Sequence, residues 1–209
     1  MDIELIALIS MLGVFLLSNL LFKLPVSISM ILGAISGAIV GGEGIPLRHL
    51  FEGTFAYVDT CLIISTAMLF MTAVQESGAM EALSSSIVRR FYRYPAIMLI
   101  LLMVLVMFPG MITGSSTAAV LSAGALVAPV LLLVGIPKEK VGAIISMGAI
   151  MGMAAPPINI PAMLIGGGVD MPYIGFDGPL FLLTVPCAIF IVLFLGLRDC
   201  RNIDIEKIQ

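Results

Sequence analysis

Two short polar runs interrupt an otherwise apolar stretch of this 209-residue chain, and they hold the side chains best suited to chemistry. The first run contains Thr113, Gly114, Ser115, Ser116 and Thr117, which supply hydroxyls and exposed carbonyls directly before an apolar segment. Hard cations such as sodium prefer oxygen ligands, and N–H groups at the start of a helix attract anions. The run therefore predicts an ion-binding loop, with an ordinary loop and a serine N-cap as the alternative.

The second polar run is rich in proline. Pro156, Pro157 and Pro161 have no backbone N–H, so carbonyls within 152–157 lose their helical hydrogen-bond donors. Asn159 is the only side-chain amide in this run, and it can both donate and accept hydrogen bonds. A simple proline kink is the alternative explanation. Two breaks in neighbouring apolar segments favour a binding site, because unpaired backbone groups survive at membrane depth only when they are buried in protein or line a wet cavity.

Composition indicates an integral membrane protein and excludes several other classes. Hydrophobic residues make up 60% of the chain and charged residues only 11%, whereas soluble domains average about 25% charged residues. Asp2 and Glu4 give the N-terminus the wrong charge for a cleaved signal peptide, so the first apolar run is expected to remain as a membrane helix. Three scattered cysteines predict neither a disulfide framework nor a metal site. We expect no enzyme, no organic cofactor and no nucleic-acid partner, because the sequence shows no nucleophile–base pair, metal-ligand cluster, intramembrane carboxylate pair or basic patch.

The elements around the two runs predict an all-α integral membrane protein with about five spanning helices, a re-entrant helical hairpin and one discontinuous helix. We expect four regions in chain order: scaffold helices forming three spans (1–75), an amphipathic connector in the membrane interface (76–95), a transport unit (96–178), and the last span with a cytoplasmic tail (179–209). Within 1–75, an exposed loop at 42–53 is expected to precede a third span that starts at Thr54. Within the transport unit, the hairpin covers 96–134 and the broken helix covers 139–168.

The hairpin prediction depends on the length of its first arm. The apolar run from Pro95 to Phe108 has 14 residues before Pro109 and Gly110, and a span needs about 20. This run is therefore expected to enter the membrane, turn at a tip formed by 110–117, and leave by the same face.

The distribution of basic residues predicts the orientation of the chain. With one reversal per span, every lysine and arginine except Arg48 falls on the same side of the membrane. By the positive-inside rule that side is cytoplasmic. We therefore expect an inner-membrane protein with its N-terminus outside, its C-terminus in the cytoplasm and membrane lipid around its spans.

Four short motifs resemble a known family. They are Gly-Ser-Ser-Thr-Ala-Ala at 114–119, Ala-Pro at 128–129, Gly-Ile-Pro at 135–137 and Ala-Pro-Pro-Ile-Asn at 155–159. The chain resembles the ion transporter superfamily, and most of all one half (the first inverted repeat) of a TRAP transporter large permease subunit. The family usually carries serine after the proline pair, where this chain has Ile158, and Asn159 stands in the next position.

The resemblance implies roles for the residues of both runs. The cation, proposed as sodium, would be bound by Thr113, Gly114, Ser115 and Ser116 with carbonyls of Gly152 to Pro157, and the substrate by Ser116, Thr117 and Asn159. A second half-transporter subunit of opposite topology would complete the site, because one repeat offers only one side of a cavity. An extracytoplasmic substrate-binding protein is a further partner that the resemblance suggests.

The function that follows is a half-size subunit of a cation-coupled secondary transporter, with sodium as the expected ion and a small organic anion such as a carboxylate as the substrate. The resemblance also implies an elevator-like motion of the transport unit against the first spans. Two alternatives stay open on the sequence: an antiporter or inorganic-oxyanion exporter of the same superfamily, and a non-transporting membrane receptor or assembly subunit.

Overall fold

The described part of the chain folds into helices and turns, without a strand, as the sequence predicts. The computed structural model describes residues 3–45 and 47–200 and forms two compact units, 1–59 and 60–209. The helices are α1 Ile3–Leu20, α2 Val26–Gly41, α3 Leu47–Ala56, α4 Val58–Glu76, α5 Ala79–Phe91, α6 Pro95–Thr113, α7 Ser116–Leu133, α8 Lys138–Ala154, α9 Ile160–Gly168 and α10 Asp177–Gly196.

Five of these helices are long and apolar enough to cross a membrane, which agrees with the predicted number. They are α1, α4, α6, α7 and α10, each 18 to 20 residues long. The set differs from the predicted one, because α2 has only 16 residues and the broken helix is divided into two short pieces. The two arms of the hairpin, α6 and α7, are among the five helices instead.

The first unit is built on close contact between α1 and α2. The face of α2 that carries Ser29, Gly33 and Gly37 is buried, and a Cβ atom placed on Gly33 would lie 3.0 Å from the Met11 carbonyl oxygen. Glycines spaced by four residues allow such approach between membrane helices. The glycine pair therefore packs α2 against α1.

Part of the predicted loop at 42–53 is helical. α3 begins at Leu47, and Arg48 and Glu52 form an ion pair of 2.7 Å at the i,i+4 spacing that supports a helix. The next helix, α4, begins at Val58 rather than at Thr54. The compact units divide after Asp59, so nearly all of α4 belongs to the same unit as the hairpin. Its predicted role as a scaffold helix stays a prediction.

The second unit is organised around α6. More than half of this helix is buried, including Leu99, Leu102 and Val106 at 1% exposure or less, and α5, α7, α8 and α10 pack around it. α5 buries Met80, Ser84 and Val88 on one face. The amphipathic pattern predicted for the connector is thus present as a helix from Ala79 to Phe91.

The predicted end of the first hairpin arm at Phe108 is wrong. α6 continues through Pro109 to Thr113, and the turn between the arms is formed by Gly114 and Ser115. The turn after the proline is hydrogen-bonded, since the Thr113 hydroxyl donates to the Pro109 carbonyl (2.7 Å) and the Gly114 N–H donates to the Gly110 carbonyl (2.8 Å). At 1.5 Å per residue the arm is about 28 Å long, so its length does not require re-entry, which stays a prediction.

The discontinuous helix breaks where the sequence predicts. α8 ends at Ala154, an extended segment follows, and α9 begins at Ile160. Lys140, at the start of α8, forms an ion pair with Asp199 after α10. This contact places the start of α8 and the end of α10 at one end of the unit, as the predicted topology requires. The predicted tail from 201 onward and the acidic Asp2 lie outside the described residues.

Candidate functional site

Two glycines allow α6 and α8 to cross in close contact. A Cβ atom added to Gly110 would lie 2.9 Å from the Met153 nitrogen, and one added to Gly152 would lie 2.8 Å from the Met107 Cα. Cβ atoms do not approach backbone atoms this closely, so no other residue fits at either position without a backbone shift. The crossing brings the end of α6 beside the end of α8.

The hairpin tip, defined as Thr113 to Ser116, lies against the helix break, defined as Ala155 to Asn159. Gly114 has a φ of +62°, a conformation that glycine adopts without strain. A Cβ atom there would lie 2.6 Å from the Ile160 side chain. The Ile158 N–H donates to the Met111 carbonyl over 3.2 Å. The structure therefore joins the two polar runs that the sequence singles out.

Side chains of the tip stabilise its turn. The buried Thr113 hydroxyl accepts from the Ser115 N–H (3.3 Å) while it donates to Pro109. The Ser115 hydroxyl accepts from the Ala118 N–H (3.3 Å), which makes Ser115 the N-cap of α7. The N-cap alternative raised from the sequence is thus present in the structure, and it leaves the second lone pair of the Ser115 oxygen available to a ligand.

Asn159 bridges both ends of the helix break. Its Nδ2 donates to the Ala154 carbonyl at 2.8 Å, and its Oδ1 accepts from the Ala162 N–H at 3.0 Å. The residue is only 5% exposed. The amide predicted to face the substrate is therefore engaged within the chain. It satisfies the last carbonyl of α8, whose usual donor, the Ile158 N–H, donates to Met111, and it caps the start of α9.

Tyr173 supports the break from the loop that follows α9. Its hydroxyl accepts from the Asn159 N–H (3.2 Å) and donates to the Pro157 carbonyl (3.1 Å). Burial raises the pKa of Tyr173 above its usual value, the Asn159 N–H partly opposes this, and the Asp177 carboxylate adds to it. The phenol is therefore protonated at neutral pH and able to donate to Pro157.

The backbone carbonyls predicted to bind a cation are partly occupied. The Gly152 carbonyl accepts from the Ala155 N–H at 3.2 Å, and the Pro157 carbonyl accepts from Tyr173. The Met153 carbonyl loses its usual donor four residues later, because that residue is Pro157. Since a carbonyl oxygen has two lone pairs, each of these groups can still accept one further contact.

A cavity of about 290 Å³ adjoins the first turn of α7. We call it the Ser116 cavity, and its lining residues are Ser116, Thr117, Val120, Leu121, Ser146, Ala149 and Ile150. Within 3–45 and 47–200, the hydroxyls of Ser116, Thr117 and Ser146 have no hydrogen-bond partner. All three can therefore donate to a bound molecule, and the N-terminus of α7 adds a favourable potential for a negative group.

The predicted site residues thus separate into two groups. Thr113, Gly114 and Ser115 are brought next to the break that contains Pro157 and Asn159, while Ser116 and Thr117 line the Ser116 cavity. Their assigned ligands stay predictions.

Sequence reasoning missed Ser146 and Tyr173. Ser146 is the only hydroxyl in α8, which is the signal that could have revealed it. Tyr173 gives no such signal, because it lies in a loop 14 residues beyond its partner Asn159.

Comparison with known proteins places the sequence of this chain in a family. The family model described as "Tripartite ATP-independent periplasmic transporter, DctM component" matches residues 12–197. No curated protein and no solved structure matches the chain.

Proposed function

Because the chain belongs to the DctM family of tripartite ATP-independent periplasmic transporter components, we propose that it is a half-size subunit of a sodium-coupled secondary transporter for a small organic anion such as a carboxylate. The chain is a multi-pass membrane protein of a transporter family, not of an enzyme family. Sodium, the substrate class and the half-size assembly are the parts that we propose.

The contact between hairpin tip and helix break carries the proposal. It brings the Ser115 hydroxyl and the carbonyls of the break into one region, through the Ile158–Met111 hydrogen bond and the approach of Ile160 to Gly114. Neutral oxygens grouped in this way suit a monovalent hard cation, while divalent cations usually require carboxylates. The described residues contain no group of three or more histidine, cysteine, aspartate or glutamate side chains that could hold a metal ion.

The Ser116 cavity supports an anionic substrate. It offers three unpaired hydroxyl donors and the start of α7, and none of its lining residues carries a negative charge. A carboxylate placed there would accept hydrogen bonds without meeting a repulsive side chain. The cavity volume of about 290 Å³ fits a small molecule.

A closed site needs a second wall. The described residues provide one hairpin and one broken helix, so we propose that a half of opposite topology supplies the matching pair. The DctM family implies membrane partner subunits and a periplasmic binding protein in general, and we propose that such a protein delivers the anion. We propose the inner membrane as the location, with the N-terminus outside and the C-terminus in the cytoplasm.

Sodium should stabilise the purified protein, and the tip serines should be needed for the effect. A ligand at a hundred times its Kd stabilises a protein by about 2.7 kcal/mol. We expect a higher Tm in sodium than in potassium at equal ionic strength, and we expect Ser115→Ala or Ser116→Ala to remove the difference. Each variant is judged by its Tm difference between sodium and potassium and not by its absolute Tm, because losing the Ser115 cap alone costs about 1 kcal/mol of stability.

The matched control is Ser85→Ala on α5, an exposed serine that bonds only to its own helix. It should keep the whole sodium shift. If both tip variants kept the full sodium-dependent shift in Tm, the cation would not be bound at the tip. Substrate flux that is independent of sodium in the assembled transporter would refute the coupling.

We also propose membrane lipid as a partner, and we expect the charge of the lipid headgroups to matter most at α5. Arg89 and Arg90 end the helix in exposed positions, and the guanidinium of Arg93 lies 5.6 Å from the centre of the Tyr92 ring. No carboxylate in the described ranges pairs with these arginines. Beside the membrane helix α6, such a cluster suits anionic headgroups.

We expect phosphatidylglycerol to raise the Tm of the protein more than phosphatidylcholine does. Replacing Arg89 and Arg90 together by glutamine should remove most of this difference, since each basic residue near a charged membrane contributes about 1 kcal/mol. Arg48→Gln is the control, because Arg48 is paired with Glu52. The prediction would be contradicted if the double variant and the wild type showed the same Tm difference between phosphatidylglycerol and phosphatidylcholine.

A further inference from the structure

A second polar cavity lies on another side of the hairpin tip, and neither the sequence nor the proposed function accounts for it. Its volume is about 260 Å³. We call it the Thr72 cavity. α4 contributes Met68, Thr72 and Gln75, the hairpin contributes Thr113 and Ser122, and the other lining residues are apolar.

The hydroxyls of this cavity have already donated their protons. The Thr72 hydroxyl donates to the Met68 carbonyl at 2.9 Å, and the Ser122 hydroxyl donates to the Ala118 carbonyl. Thr113 likewise donates to Pro109 within its own helix. Because a hydroxyl has one proton, each of these oxygens presents only lone pairs to the cavity.

The Ser116 cavity has the opposite character. Ser116 and Thr117 belong to the first turn of α7, where no carbonyl of the same helix lies four residues earlier to accept their protons. Their hydroxyls therefore remain donors. The two cavities lie on different faces of the same turn, and the hydroxyls of one can only accept while those of the other can also donate.

The charge of the Thr72 cavity limits its ligand further. Every lining residue is neutral. The three hydroxyl oxygens present only lone pairs, which disfavours an anion, and the Gln75 amide can turn its carbonyl oxygen toward a cation. Neutral oxygens alone do not compensate the dehydration of a divalent cation. A cavity of this volume also leaves room for part of a water shell.

We propose that the Thr72 cavity is a binding site for a hydrated monovalent cation, formed by the Thr72, Gln75 and Ser122 oxygens beside the hairpin tip. This site lies on α4 and adjoins the hairpin tip at Thr113, which is also among the residues assigned to the coupling cation. Its use as a loading position for sodium rests on the proposed function. The preference of the cavity for positive charge does not depend on the proposed function.

The charge preference is tested with thiol reagents of opposite charge. In the full chain with Cys61, Cys187 and Cys200 replaced by alanine, Met68→Cys places a thiol in the Thr72 cavity without removing a polar group. Val120→Cys does the same in the Ser116 cavity. Each reaction rate with a cationic or anionic methanethiosulfonate is divided by the rate of that reagent with a free thiol in solution.

We expect M68C to favour the cationic reagent by about tenfold, which corresponds to 1.4 kcal/mol, and V120C to favour the anionic one. Adding Thr72→Val to M68C should lower its cation preference. Thr66→Val is the matched control, because Thr66 bonds to its own helix in the same way but does not line the cavity.

Three results would overturn the proposal: no charge preference at M68C, an anionic preference there, or no reaction with either reagent while the unfolded protein reacts. Sodium in place of choline should slow the cationic reagent at M68C. If the charge preference is present but sodium has no effect, the cavity accepts cations without serving the coupling ion, and the sodium-loading part of the proposal fails alone.

Discussion

Replacing Gly152 by alanine is expected to destabilise the protein by about 3 kcal/mol, at the upper end of what overpacking usually costs. The added Cβ would lie 2.8 Å from the Met107 Cα and 3.0 Å from its carbonyl carbon. Both are backbone atoms of the buried helix α6, so they cannot move aside as the end of a flexible side chain could. The crossing of α6 and α8 must widen, and the hairpin tip then moves away from the helix break.

Gly142, in the same helix, provides the control. A Cβ atom there meets nothing within 4 Å, so Gly142→Ala should stabilise the protein by about 0.5 to 1 kcal/mol through helix propensity. The two alanine variants are compared by thermal and denaturant unfolding in the same detergent. Equal stability in both would show that the glycine crossing is not a tight contact.

Replacing Asn159 by alanine is expected to cost a similar amount, about 3 kcal/mol. It leaves the Ala154 carbonyl and the Ala162 N–H without the partners that the amide supplies at 2.8 and 3.0 Å. An orphaned buried polar group costs about 1 to 3 kcal/mol, and this change creates two. Because the amide holds both sides of the break, we also expect the variant to lose transport in the assembled protein.

Two comparisons separate this role from a general effect of losing an asparagine. Asn19→Ala removes a single longer bond, 3.3 Å to the Leu24 carbonyl, in a partly buried position, and should cost less than about 1 kcal/mol. Tyr173→Phe removes the hydroxyl that joins the Asn159 N–H to the Pro157 carbonyl and should fall between the two. An Asn159 variant no less stable than the Asn19 variant would show that the bridge is unimportant.

The sequence predicts where the helices are interrupted, because the residues at these positions have specific backbone requirements. Adjacent prolines cannot continue a helix, so Pro156 and Pro157 locate the second break to within a residue or two. Gly114 suits the end of one helix and Ser115 suits the N-cap of the next, so the two residues together locate the tip. The number of helices of spanning length, five, also agrees with the prediction, but the set does not, because the two hairpin arms are long enough to span and α2 is not.

Pro109 shows where local rules fail. It predicts a break, yet α6 stays helical through Thr113, and the Thr113 hydroxyl and the Ile158 N–H donate to carbonyls of its last turn. The first bond is local, but the second comes from a residue 47 positions away. Tyr173 escaped prediction for the same reason, since its contacts depend on which elements pack together and not on its neighbours in the chain.

The tip, the break and both cavities share one further property: from Thr113 to Thr117, at Ser146 and from Gly152 to Asn159, every side chain keeps the same charge across the physiological pH range. The phenol of Tyr173, which contacts the break, is titratable, and because its pKa is raised it also stays protonated. The site itself therefore has no protonation switch. We therefore expect the part of the pH dependence that arises on this half of the site to follow the ionisation of the substrate, so that the pH profile of binding reports the pKa of the transported acid.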